Sequence, residues 1–311
     1  MKRFIKIVVA LVILLVVGLT GAGLYFYNYA VVPSEKDFLS KKTPGTDETA
    51  NNSEEAWFKN EKNRSYWEIT AADGLKLKAI YLPADKKTDK NVIMAHGYMG
   101  NAEIMASYAK MYHDLDYNVL VPDARGHGKS EGDYIGFGWP ERKDYLQWID
   151  EMLAKNGQKA QITLYGISMG GATVMMTSGE KLPKNVKAIV EDCGYATVNE
   201  ELAGQLQELF NLPAFPLVPV TSLITKIRAG YFFGEASSVA QLKKNKTPIL
   251  FIHGQADKFV PFAMLDEVYA ATDAPKEKFV VAKAEHAKAY SVNPQAYKDK
   301  VAAFLAKYVK E

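Results

Sequence analysis

Apolar residues dominate from Ile7 to Tyr27, with Thr20 and three glycines among them, and no charged residue occurs between Lys6 and Glu35. As a helix, residues 7–27 would rise about 31 Å, enough to cross the hydrocarbon core of a bilayer. The run lacks the polar stripe that a helix packed on a soluble core would show. The pattern then changes abruptly. Residues 33–65 are rich in Lys, Glu, Asn, Ser and Thr and too poor in apolar residues to build a core, so they read as a spacer. Trp57 and Phe58 are its exceptions, able to dock onto a neighbouring body.

From residue 66 to 311 strand and helix signals alternate. Tyr66–Thr70 and Leu75–Leu82 flank Asp73-Gly74 as a hairpin. Short apolar runs follow at Val92–Ala95, Asn118–Val121, Ile162–Tyr165, Val186–Val190, Ile249–Ile252 and Phe279–Ala282, as expected of strands buried on both faces. Between them Asn101–Leu115, Arg142–Lys155, Met169–Lys181 and Phe262–Thr272 read as helices, with a last helix after Pro294. This order predicts one α/β domain over 66–311, a mostly parallel central sheet with helices on both faces. In such sheets ligands bind beyond the carboxyl ends of the strands. Between Ala196 and Lys246 the alternation breaks into Leu202–Phe210 and a proline-punctuated apolar stretch, Asn211–Phe233.

Charge changes the picture in two places. Across the whole chain, 38 Lys+Arg against 36 Asp+Glu leave a formal charge of +2, which argues against a nucleic-acid partner. At the N-terminus, Lys2, Arg3 and Lys6 precede the apolar run and no basic residue closely follows it. That asymmetry predicts a cytoplasmic N-terminus and an extracytoplasmic catalytic domain, with 1–32 as a single-pass signal-anchor in the cell membrane. Tyr25, Phe26, Tyr27 and Tyr29 fall where an interfacial aromatic belt would lie. Thr20-Gly21-Ala22 loosely resembles a signal-cleavage site, so secretion after cleavage is the alternative. The only cysteine, Cys193, allows neither an intrachain disulfide nor a cysteine-based zinc site.

The chemistry lies in the loops after the apolar runs. Gly166-Ile167-Ser168-Met169-Gly170, between a strand and a helix, is a G-x-S-x-G nucleophile elbow. Serine attacks only when a base takes its proton. His286 follows the last strand, as the order Ser, acid, His requires. His96 and His127 precede the serine in turns and suit loop organisation, and His113 lies within a helix pattern as an ordinary surface residue. Asp257, in the loop after Ile249–Ile252, is the acid that would orient the imidazole, with Glu191 and Asp192 as runners-up. Oxyanion stabilisation needs two preorganised donors. The backbone N–H groups of Met169 and of Tyr98, in the turn His96–Asn101, are the candidates, and Tyr98 and Met99 are candidates to line a pocket.

Together HGYMGN at 96–101, DARGHGKS at 123–130, GISMGG at 166–171 and HGQADKFVP at 253–261, with His286 beyond, resemble the α/β-hydrolase superfamily over essentially all of 66–311. Within it the chain looks most like bacterial serine hydrolases described as esterases or serine-aminopeptidase-like, often with a short N-terminal membrane segment. The resemblance implies Ser168 as nucleophile, Asp257 as acid, His286 as base, and Tyr98 and Met169 as oxyanion donors. It implies a largely structural role for Asp123–Ser130 and a cap or lid at 196–246. The chain departs from the lipase-type HGGG pattern, so a preference for bulky esters is not implied. The expected activity is hydrolysis of carboxylic esters with small to medium hydrophobic acyl groups, through an acyl-enzyme and with no metal or organic cofactor. A peptidase or acyltransferase on the same triad is the alternative, and a non-catalytic membrane-tethered binding module a further one. The expected partners are a small-molecule ester or amide and, through residues 7–27, a lipid bilayer.

Overall fold

The computed structural model describes residues 1–34 and 51–310, so part of the expected spacer, 35–50, lies outside the described residues. The apolar N-terminal run forms one helix, α1 (Lys2–Ala30). The end of the polar stretch is itself helical, as α2 (Asn51–Asn60). Its Phe58 is fully buried, and its Trp57 ring lies 5.2 Å from that of His113.

The strands follow in the expected order. β1 (Ser65–Thr70) and β2 (Lys76–Leu82) pair antiparallel around Gly74, which turns the chain at φ 92°. Then come β3 (Lys90–Ala95), α3 (Ala106–Asp114), β4 (Asn118–Pro122), α4 (Glu141–Asn156), β5 (Gln161–Ile167), α5 (Met169–Ser178) and β6 (Val186–Asp192). The irregular region supplies α6 (Val198–Phe210), α7 (Ala214–Ala229) and α8 (Ser238–Leu242). β7 (Ile249–Gly254), α9 (Ala263–Ala270), β8 (Lys276–Val281), α10 (Ala289–Val292) and α11 (Pro294–Leu305) complete the domain. The sheet runs β1-β2-β4-β3-β5-β6-β7-β8; β2 meets β4 antiparallel, and every pairing beyond β4 is parallel.

Period-two alternation divides the strand side chains between two cores. Along β5, Ile162 and Leu164 join the cluster of α4 to α9, whereas Tyr165 and Ile167 join that of α3 and α11. Each such fully buried aliphatic side chain contributes about 1.5–3 kcal/mol relative to exposure. Parallel strands put all their carboxyl ends on one edge, so the turns after β3, β5, β6, β7 and β8 gather there.

Two local expectations need correction. His113 is not a surface residue: α2 covers it, and its Nε2 lies 3.1 Å from the Pro83 carbonyl oxygen. The last strand begins at Lys276 rather than Phe279. β8 is an edge strand, so its half-buried charged residues find partners, with Glu277 accepting from Lys300 at 2.7 Å and from Lys307 at 2.6 Å.

Only the second half of α1 is packed. Gly23 brings it against α7 so closely that a Cβ there would lie 2.7 Å from Ile224 Cδ1 and from Val220 Cγ1. Beyond the helix, the Val31 carbonyl accepts from the Ile135 N–H at 2.7 Å.

Candidate active site

The strand-to-helix turn between β5 and α5 carries Ser168 at φ 57° and ψ −121°, a strained backbone conformation for a residue with a side chain. The flanking glycines are required by distance. A Cβ on Gly166 would lie 2.0 Å from the Gly170 carbonyl oxygen, and one on Gly170 would lie 2.0 Å from that of Ala95. The Ser168 N–H is fixed on the Asp192 carbonyl at 2.8 Å, leaving the hydroxyl to project beyond the sheet edge.

That hydroxyl meets His286 Nε2 at 2.8 Å, and His286 Nδ1 meets Asp257 Oδ2 at 2.8 Å. The three groups are brought together from the turns after β5, β8 and β7. Asp257 Oδ1 accepts from the N–H groups of Phe259 and Val260 at 2.9 and 3.0 Å. Burial alone would raise its carboxyl pKa, but hydrogen bonds from His253 and His286 outweigh that and hold it below the ordinary range. An ionised Asp257 fixes the Nδ1–H tautomer of His286 and turns its Nε2 lone pair toward the serine. The Phe259 ring lies 4.8 Å from the imidazole and shields it from solvent.

The runner-up acids are engaged elsewhere. Asp192 accepts from the Tyr297 hydroxyl at 2.8 Å, and Glu191 from the Gly194 N–H at 3.0 Å. Burial raises them to about 6 and about 8 respectively. Cys193 brings its sulfur within 4.8 Å of donor atoms of Asp257 and His286. Burial pushes that thiol well above its ordinary value, so it is a neutral packing group rather than a thiolate ligand.

The turn after β3 is held by two histidines. His96 Nε2 accepts from the Ala124 N–H at 3.0 Å, and His127 Nε2 accepts from the Met99 N–H at 3.2 Å. Burial lowers them to about 4 and about 3, so both rings are neutral acceptors at physiological pH. Asp123 ties in the next loop, accepting from the N–H groups of Ala102 at 2.7 Å and Lys129 at 2.8 Å. The turn sets Gly97 against Ser168, where a Cβ would lie 3.5 Å from the serine Cβ. Among the described residues no acceptor engages the N–H of Tyr98 or of Met169. The Tyr98 side chain lines the cavity, whereas Met99 does not; Met99 adopts φ 56° to turn the chain.

A cleft with about 810 Å³ of empty space, its solvent-open mouth included, lies over Ser168. Its walls are largely apolar: Leu202, Leu206 and Phe210 from α6, Leu217 and Val218 from α7, Phe233 from a short 3-10 turn, Phe137 and Phe259 from loops, and Phe26, Tyr29 and Ala30 from α1. Besides Ser168, Thr221 and the tyrosines, Glu201 and Gln205 interrupt them. Gln205 Nε2 donates to Glu201 Oε1 at 3.0 Å and to the Phe259 carbonyl at 2.8 Å. Glu201 Oε2 and Gln205 Oε1 are buried with no donor among the described residues. Burial raises Glu201 to about 8. Sequence reasoning missed Glu201 and Gln205, although their i, i+4 spacing on a helix covering the strand ends was visible. It also missed the contribution of α1.

A family model described as "Serine aminopeptidase, S33" matches residues 86–219. The chain is 30% identical over 237 residues to the Bacillus subtilis protein YqkD, covering 76% of this chain and 77% of that one. It is 27% identical over 164 residues to human monoglyceride lipase, covering 50% of this chain and 54% of the lipase. Among solved structures, the Pyrococcus furiosus esterase Pf2001 superposes with a TM-score of 0.64 at 25% identity, covering 79% of this chain and 91% of the esterase. With this fold, these relatives and these motifs, the chain belongs to the α/β-hydrolase superfamily of serine hydrolases.

Proposed function

We propose that the protein hydrolyses carboxylic esters through an acyl-enzyme on Ser168. The observation that carries this reading is the continuous relay from Ser168 Oγ through His286 to Asp257, at 2.8 Å for each step, on the floor of an apolar cavity. His286 takes the serine proton as Oγ attacks the ester carbonyl carbon. The carbonyl oxygen becomes an anion that the N–H groups of Tyr98 and Met169 receive. The imidazolium, stabilised by Asp257, then protonates the departing alcohol. Water, deprotonated by His286, attacks the acyl-serine and releases the acid. A Ser168→Ala variant should keep its fold and lose turnover of p-nitrophenyl butyrate, together with labelling by a fluorophosphonate. Retained turnover overturns the assignment.

One observation favours an amide-cleaving reading on the same relay. The orphan Gln205 Oε1 would accept from an amide N–H or ammonium donor on a bound molecule, and the protonated Glu201 would donate to a carbonyl. Comparing kcat/KM for aminoacyl-p-nitroanilides with that for esters separates the two, with esters expected to lead. Residues 7–27 we read as a single membrane span with the catalytic domain outside. The length and hydropathy of α1 and the basic residues at its start support this.

A further inference from the structure

We infer that the last turns of α1 form part of the substrate-binding site, and that the site draws single-chain acyl esters laterally from the bilayer this helix spans. The inference rests on the esterase and membrane-span readings above and deepens them. Phe26, Tyr29 and Ala30 line the cavity over Ser168 together with Leu206, Leu217 and Val218. This wall is built in, not laid on. The ring of Phe210 at the end of α6 meets those of Phe26 and Tyr29 edge-on at 5.3 and 5.0 Å. The Tyr98 hydroxyl donates to the Ala30 carbonyl at 2.8 Å, which ties the helix end to the turn beside the serine.

Depth then follows from length. The stretch of α1 between Lys6 and its first buried contact at Gly23 rises only about 24 Å, short of the roughly 30 Å hydrocarbon core. A span beginning at Ile7 must therefore include the docked turns, which sets Phe26 at the outer hydrocarbon boundary and α7 beside it. The surface there matches. Outside α1, most large apolar side chains left exposed among the described residues fall between 209 and 232, with Phe215 at 78%, Ile227 at 76% and Leu223 at 51%. Arg228 lies over the Tyr27 ring at 5.3 Å, a cation at the level where lipid phosphates lie. Water disfavours such an apolar patch, whereas a bilayer accommodates it. The apolar lining of the cavity suits an acyl chain.

The test uses the full chain reconstituted in phosphatidylcholine vesicles, with water-soluble p-nitrophenyl butyrate and with p-nitrophenyl dodecanoate dissolved in the membrane. Replacing both Phe26→Ala and Tyr29→Ala should lower kcat/KM for the dodecanoate about tenfold more than for the butyrate, mainly through KM. The milder Phe26→Leu should shift the ratio in the same direction. Ile227→Asp, remote from the cavity, should leave butyrate turnover at the wild-type level and reduce turnover of the membrane-dissolved ester several-fold. An unchanged chain-length ratio in the wall variants, with wild-type fluorophosphonate labelling, overturns the inference while leaving the esterase reading intact. Equal turnover of membrane-dissolved dodecanoate by Ile227→Asp and wild type overturns lateral entry. A wild type inert toward both esters and the fluorophosphonate instead sinks the esterase reading, and this inference with it.

Discussion

Asp257 holds two imidazoles, and only one of them reaches the serine. His253 Nε2 lies 3.3 Å from Asp257 Oδ2 and 3.0 Å from the Val260 carbonyl, fully buried, while His286 extends the relay to Ser168. Asp257→Asn keeps the shape of the side chain but removes the charge that fixes the tautomer of His286. Ester kcat should fall by about three to four orders of magnitude with KM little changed and the fold intact; a loss below tenfold would remove Asp257 from the relay. Glu201 makes a different prediction. Burial raises its pKa from 4.5 to about 8, its hydrogen bond from Gln205 opposes that, and the charge of Asp257 adds to it. The folded protein therefore keeps a proton that the unfolded chain releases above about 4.5. The stability this confers is complete below that pH and is lost as pH rises through 8. Glu201→Gln, neutral throughout, should melt progressively higher than wild type from pH 5 to pH 8, and a pH-independent difference in Tm would contradict the assignment. The convergence of Ser168, Asp257 and His286 on one spot was legible because each follows an apolar strand run in a short loop. Glu201 was not, since nothing in the pattern of α6 tells a face turned to a cavity from one turned to a core.

Among the elements, α1 shows most clearly where sequence reading stops. Its length and apolar character were plain, but a helix apolar all round does not say which face meets lipid and which meets protein. The partner face lies in α7, about two hundred residues further along, and only Gly23 marks the contact. A Cβ on Gly18 or Gly21 would meet no atom within 4 Å, whereas one on Gly23 would meet two side chains at 2.7 Å. Gly23→Leu should pry α1 from α7 and destabilise the detergent-solubilised protein by about 1–3 kcal/mol, the usual cost of overpacking. Gly21→Leu should be tolerated. Indistinguishable thermal unfolding of the two variants would mean that the contact contributes nothing. The hairpin, the succession of strands along the chain and the helices between most of them were readable from period-two and helical patterning; the place of β4 between β2 and β3 in the sheet was not. The edge strand β8 was placed late because its charged residues are paired on the surface, where the apolar-run criterion has no purchase.

For the molecule as a whole, docking of α1 converts a question of topology into one about the active site. Lys2, Arg3 and Lys6 occupy one end of a helix whose other end is packed into the wall of the Ser168 cavity. A flexible tether would let the catalytic domain tumble above the membrane. A helix held by Gly23, Phe210 and Tyr98 instead fixes the domain's orientation to the helix axis. On the proposed topology, with the basic end in the cytoplasm, the cavity would face the outer leaflet. In spheroplasts, added protease should degrade the catalytic domain and spare an epitope tag placed ahead of Lys2, and a membrane-impermeant fluorophosphonate should label Ser168 without permeabilisation. Protection of the domain, with labelling only after lysis, would reverse the topology. It would leave the relay untouched but turn the cavity toward the inner leaflet.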